Sequence, residues 1–179
     1  MIYGKNIYLR EILKEDIEEA YDLCSDKEVL KYSEAEGNLI SKKHYLDSFA
    51  YLNKPNERRF VVVNNEGSIV GVASYSHSQF VEDVFIISLV IGRKYWRRGY
   101  GSEAINILLN YLFKRKRAHR VELEVVKENI AAVNCYKKCG FIQEGIKREK
   151  YYYKGKYLDT IVMGILKQEF TAMRSKAWV

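Results

Sequence analysis

Between Val84 and Ala104 the chain reads VFIISLVIGRKYWRRGYGSEA. Val84 to Ile91 is apolar on both alternating faces except for Ser88, the pattern of a central strand. Gly92 stops it, a short turn carries Arg93, Lys94, Arg97 and Arg98, and Gly99-Tyr100-Gly101 opens an amphipathic segment. The order is strand, glycine loop, helix start. The first N–H groups of a helix have no partner inside it, and glycine lets a ligand come close to them. With Arg97 and Arg98 adding charge, the natural occupant is a phosphate or pyrophosphate.

Spacing decides which phosphate loop this is. A Walker loop ends in Gly-Lys-Ser/Thr, and a dinucleotide fingerprint needs a third glycine and an acidic residue at the tip of the next strand. Here the third position after Gly101 is Ala104, and the next strand, Val121 to Val126, ends in Lys127. Neither pattern is present, and a turn without a ligand stays open at this point.

A second segment narrows the choice. Asn129-Ile-Ala-Ala132-Val-Asn-Cys-Tyr136-Lys-Lys-Cys-Gly140-Phe141 has a polar start, apolar residues at helical spacing and a glycine stop. Together the two stretches resemble the GNAT acetyltransferases, whose coenzyme A loop reads R/Q-x-x-G-x-G/A and whose later helix reads N-x-x-A/S, then Y, then G-F. The resemblance runs from about Ile7 to Phe170 and is nearest the branch of spermidine and ribosomal-protein N-terminal acetyltransferases. Glu57-Arg58-Arg59-Phe60-Val61-Val62 carries it too.

That resemblance implies acetyl-CoA as acetyl-donor cosubstrate, no metal, and direct attack by a primary amine in a ternary complex. Arg97, Arg98, Gly99, Tyr100, Gly101 and Ser102 would hold the pyrophosphate, with Trp96 standing where the family carries Arg or Gln. The backbone of Leu89, Val90 and Ile91 would bind the pantetheine arm, with N–H groups near Val90 and Ile91 polarising the thioester carbonyl. Asn129 would fix the pantetheine, and Tyr136 would be the general acid for the departing thiolate.

The implied architecture is α/β of the α+β kind: a mixed, mostly antiparallel sheet of six to seven strands, splayed between strands 4 and 5 and flanked by about four helices. The pattern agrees. Strands are expected over Asn6–Arg10, Phe60–Asn64, Ile69–Ser76, Val84–Ile91, Arg120–Val126 and a final hairpin, Phe141–Tyr153 with Tyr157–Leu166. Helices are expected over Leu13–Cys24, from Ser41 towards Pro55, over Gly101–Arg115 and from Asn129. Val29 to Asn38 reads as irregular.

At 179 residues, 47% hydrophobic, the chain is sized for one domain, residues 1–170, followed by a loose or frayed tail, 171–179. No run approaches the roughly 18 to 20 apolar residues of a membrane span, and the start lacks a signal-peptide layout, so a cytoplasmic protein is expected. Net charge is +7, concentrated in the loop, in Lys114 to Arg120 and after Lys167. No nucleic-acid motif accompanies it. Cys24, Cys135 and Cys139 lack zinc-like spacing and are assigned no chemistry.

The acceptor is the less legible half. By resemblance the early helix, loop and helix cover the amine, making Tyr32, Glu34 and Glu36 candidates for its recognition. A lysine-like amine has a pKa of about 10.4 and must lose a proton before attacking; Glu34, Glu36 and His77 are alternatives for the base. Spermidine acetyltransferases carry acidic residues on the third strand, whereas Val72 to His77 has none, so a small-molecule amine or protein N-terminus is the first reading and a polyamine the second. A degenerate CoA-binding regulatory domain is a reading of another class. Relatives in this branch also imply a homodimer or larger assembly.

Overall fold

Alternating apolar residues build one sheet whose N-terminal half is covered on both faces. The structure, a computed structural model, describes residues 1–32, 57–78 and 81–176. Among these, eight strands form the sheet: β1 (Ile2–Tyr3), β2 (Ile7–Glu11), β3 (Glu57–Asn64), β4 (Ile69–His77), β5 (Val84–Ile91), β6 (Arg120–Val126), β7 (Ile142–Tyr153) and β8 (Lys156–Leu166), in the order β1-β2-β3-β4-β5-β6-β8-β7. Every neighbouring pair is antiparallel except β5 and β6, which run parallel.

That one parallel pair requires a crossover, supplied by α3 (Tyr100–Lys114). Ala104, Ile105, Leu108, Leu109 and Leu112 recur on one face of α3 and are buried against Leu9, Val62, Phe85, Val121 and Ile165. On the opposite sheet face Ile17 and Ala20 of α1 (Ile17–Cys24) cover Val61, Val63 and Ile69. The two residue sets alternate along β3, as a strand buried on both faces demands. α4 (Ile130–Lys138) packs beside α3.

The fold class matches the expectation, with differences at its margins. The sheet has eight strands rather than six or seven because two residues, Ile2–Tyr3, add an edge ladder through Ile2↔Leu9 and Tyr3↔Tyr8. Val29 and Leu30, expected to be irregular, belong to a short α2 (Lys27–Leu30), whose N-cap Asp26 accepts from the Glu28 N–H at 2.8 Å. Residues after Leu166 form α5 (Lys167–Lys176), because Phe170 is buried and stacks on Phe113 at 4.8 Å. The described helices therefore number five rather than about four. The helix expected after Ser41 lies outside the described residues. Among the described residues no helix is long and apolar enough to cross a membrane.

The strand β4 contains one position that tolerates no side chain. A Cβ on Gly71 would run into the carbonyl oxygen of Val90, which is backbone and has no rotamer to yield. Gly71→Ala is therefore expected to lower stability by about 1–3 kcal/mol, the range for overpacking a closed site. A urea or thermal denaturation midpoint equal to wild type would contradict this packing.

Candidate active site

The sheet opens where β5 and β6 part. They pair only as Val84↔Arg120, Phe85↔Val121 and Ile86↔Glu122. Beyond that point β6 continues with β8 as far as Val126↔Thr160, and β5 continues with β4 as far as Ile91↔Gly71. Leu89, Val90 and Ile91 thus line a gap on their β6 side.

Which backbone groups enter the gap follows from the ladder. The Gly92 N–H donates to the Val70 carbonyl at 2.9 Å, and the Ser78 N–H donates to the Val84 carbonyl at 2.8 Å. Even-numbered residues of β5 therefore bond β4, and odd-numbered ones point away. Val90, expected to offer its N–H, turns its backbone to β4 instead. The N–H groups facing the gap at this level are those of Leu89 and Ile91.

At the open end of β5 the chain makes a 3-10 turn, Arg93–Tyr95, and Trp96 folds back so that its indole N–H donates to the Ile91 carbonyl at 2.7 Å. Trp96 stays 41% exposed. The loop then adopts two left-handed conformations, Arg97 at φ 61° and Gly99 at φ 82°. Such alternation gathers successive N–H groups into a concavity. The carbonyl of Gly99 accepts from the Glu103 N–H at 3.1 Å, leaving the N–H groups of Tyr100, Gly101 and Ser102 without partners inside α3. The Ser102 hydroxyl donates to the Gly99 carbonyl at 2.9 Å, and Arg97 and Arg98 are exposed.

Gly101 is informative because the chain itself leaves it room. A Cβ there would meet Ile91, Cys135 and Leu89 at 3.8, 3.9 and 4.0 Å, ordinary van der Waals distances. The same contacts place α4 against the gap. Asn129 is the N-cap of α4, its side-chain oxygen accepting from the Ala132 N–H at 3.2 Å, so only its amide N–H₂ is left to donate elsewhere. Tyr136 is 9% exposed and edge-on to Phe141 at 5.9 Å. Burial, then the nearby thiols of Cys135 and Cys139, push its phenol well above the ordinary tyrosine range. It is held as the neutral, proton-bearing form.

The remaining candidates divide. Tyr32 is half-buried beyond α2, with the Lys31 ammonium over its ring at 5.1 Å. Glu34 and Glu36 lie outside the described residues. His77 pairs with Phe85, four residues before Leu89 and so about 13 Å down the strand from the gap; its Nδ1 is 3.0 Å from the Glu82 carbonyl. That distance does not fit a base. The pattern reading placed Trp96 among the cofactor-binding residues without its bond back to β5, and it missed Glu103. The Glu103 carboxylate accepts from the Lys5, Asn6 and Ile7 N–H groups at 2.6, 2.7 and 3.4 Å and from the Asn6 amide at 2.9 Å, tying the head of α3 to the loop before β2. No local motif announces a bond spanning nearly a hundred residues.

Residues 6–142, more than three quarters of the chain and reaching from β2 past α4, match the acetyltransferase (GNAT) domain. The chain belongs to the GNAT acetyltransferases. The spermidine N(1)-acetyltransferase of Vibrio cholerae is 26% identical over 174 residues, covering 93% of this chain and 96% of that protein. The uncharacterised N-acetyltransferase YnaD of Bacillus subtilis is 29% identical, covering 94% and 98%. Among solved structures, the Vibrio cholerae spermidine N-acetyltransferase in complex with CoA and spermine superposes with a TM-score of 0.84 at 24% identity, over 93% of this chain and 98% of that one. This acetyltransferase thus shares the fold of that enzyme.

Glu103 generates a pH test of the loop's anchoring. Burial raises its pKa, but the N–H donors outweigh that and the net shift is downward from 4.5. A lowered carboxylate pKa contributes stability above the ordinary value, lost as pH falls through the folded one. The gap in melting temperature between wild type and Glu103→Gln is expected to be largest near neutrality and to close below pH 4.5. A gap that is constant from neutral to acid pH would contradict the assignment.

Proposed function

We propose that this acetyltransferase moves the acetyl group of acetyl-CoA to a primary aliphatic amine, a small molecule or a protein N-terminus, by direct attack in a ternary complex. What supports this reading is one gap that has outward backbone donors, the free N–H groups of the head of α3 beside it, and α4, the helix that carries the buried neutral Tyr136, packed against it through Cys135. Arg97 and Arg98 with the N–H groups of Tyr100, Gly101 and Ser102 bind the pyrophosphate. The space at Gly101 admits the ligand rather than a side chain.

Leu89, Val90 and Ile91 flank the pantetheine arm as a missing strand would be flanked, and Asn129 donates to it through the amide N–H₂ that helix capping leaves. Bound acetyl-CoA supplies the thioester. The Leu89 and Ile91 N–H groups stand where negative charge develops on the carbonyl oxygen. Tyr136, neutral across physiological pH, holds the proton that the leaving sulfur requires.

Acceptor choice rests on charge. On the open face of the C-terminal sheet half, Glu122 and Glu144 are engaged by Arg120, and Glu124 by Lys147 and Thr160. Carboxylates already neutralised offer little to a polycation. This favours an acceptor with one reacting ammonium. The second reading is a polyamine, supported by the relatives named spermidine N(1)-acetyltransferases, with Tyr32, Glu34 and Glu36 as its recognition residues.

Thiol release from acetyl-CoA against spermidine, spermine, an amino sugar and peptides with free Ala or Ser N-termini separates the two. Turnover confined to polyamines would replace the first reading by the second, and binding of acetyl-CoA with no turnover would leave a degenerate domain. With the accepted amine, Tyr136→Phe is expected to lower kcat by about 10²-fold or more, the usual range for a lost general acid, with KM for acetyl-CoA nearly unchanged. An unaltered kcat would remove Tyr136 from the mechanism.

A further inference from the structure

At the other end of α3 the chain makes a second cationic concavity that acetyl transfer does not use. A cleft of about 240 Å³ lies between the last turn of α3 and α5, lined by Phe113, Lys114, Lys167, Phe170, Thr171 and Arg174. Its floor is the stacked pair Phe113 and Phe170. Three of its six lining residues are cations and none is acidic. From the loop at Tyr100 it is separated by the length of α3, about 22 Å for fifteen residues.

One atom beside this cleft lacks what buried polar atoms almost always have. The Arg174 guanidinium lies over the Phe170 ring at 5.3 Å, and its Nε is shut off from solvent with no hydrogen-bond partner among the described residues. Arg174 itself lines the cleft, and a guanidinium whose hydrogen-bonding capacity is not used up inside the chain suits an oxyanion.

Local structure accounts for one of the three cations and not for the others. Lys114 ends α3, where the helix dipole favours positive charge. Lys167 begins α5, where the dipole disfavours it. The one acidic residue in the first turn of α5, Glu169, is turned to accept the Leu166 N–H at 2.8 Å and so caps the helix. Arg115, Lys116 and Arg117 are exposed on the neighbouring turn but do not line the cleft, so the feature is narrower than a basic surface.

We infer that the cleft between α3 and α5 binds a phosphate-type oxyanion, held by Arg174, Lys167 and Lys114 over an aromatic floor, at a site distinct from the loop at the head of α3. The space suits a phosphate together with part of the group it esterifies. Inorganic phosphate is the probe because it presents the oxyanion without other contacts.

The test compares melting of the full chain in phosphate and in chloride at matched ionic strength, with saturating acetyl-CoA present to occupy the loop. Matching ionic strength removes general screening. Wild type is expected to melt about 3 °C higher in phosphate, the size of shift a ligand at roughly five times its dissociation constant gives a chain of this length. Arg174→Gln and Lys167→Gln should each lose most of that increment while keeping wild-type thiol release from acetyl-CoA. Should Arg174→Gln melt poorly even in chloride, Lys167→Gln carries the comparison alone. No increment in wild type, or an increment that survives both substitutions, overturns the site. The comparison between variants holds whether or not acetyl-CoA binds, so its failure is distinguishable from failure of the proposed activity.

Discussion

The site depends on where two parallel strands stop pairing. β5 and β6 share three residue pairs and then separate, yet neither strand is left alone. β5 keeps its ladder to β4 through Gly71↔Ile91, and β6 keeps its ladder to β8 through Val126↔Thr160. Separation therefore costs only the few hydrogen bonds that would have joined them, each about 1 kcal/mol net. Trp96 satisfies the Ile91 carbonyl at the open end. What remains is a short row of outward N–H groups with a regular spacing, available to a ligand laid in as an extra strand.

The loop that follows stores strain at the proposed binding site. Arg97 at φ 61° is a non-glycine residue in the left-handed region, a conformation costing roughly 1–3 kcal/mol, while Gly99 reaches φ 82° without that cost. The neighbours over-determine both. Trp96 is tied to β5 on one side, and on the other the first turn of α3 is held through Glu103 to residues 5–7. A concavity of N–H groups is thus fixed before any anion arrives, which reduces the ordering that binding must supply.

Features carried by local pattern were legible in the sequence, and features carried by register or long-range contact were not. Gly99 and Gly101 after an apolar run marked the loop, and Asn129 three residues before Ala132 marked a helix start, which the structure shows as a cap. The side of β5 to which Val90 turns depends on pairing with β4, which no pattern within β5 reveals. β1 is too short to have a period. The last residues of α5, 171–176, read as a loose or frayed tail because their helical signal is weak, whereas Phe170 anchors the helix by stacking on Phe113, more than fifty residues earlier. The orphaned Nε of Arg174 has no sequence signature of any kind.

The central claim is that odd-numbered residues of β5 present their backbone to acetyl-CoA. Amide hydrogen exchange, resolved by residue, tests it directly. On addition of acetyl-CoA the account predicts new protection at Leu89 and Ile91, with Val90, already bonded to β4, unchanged. Protection that appears at Val90 instead, or no change anywhere along Leu89 to Ile91, would contradict it.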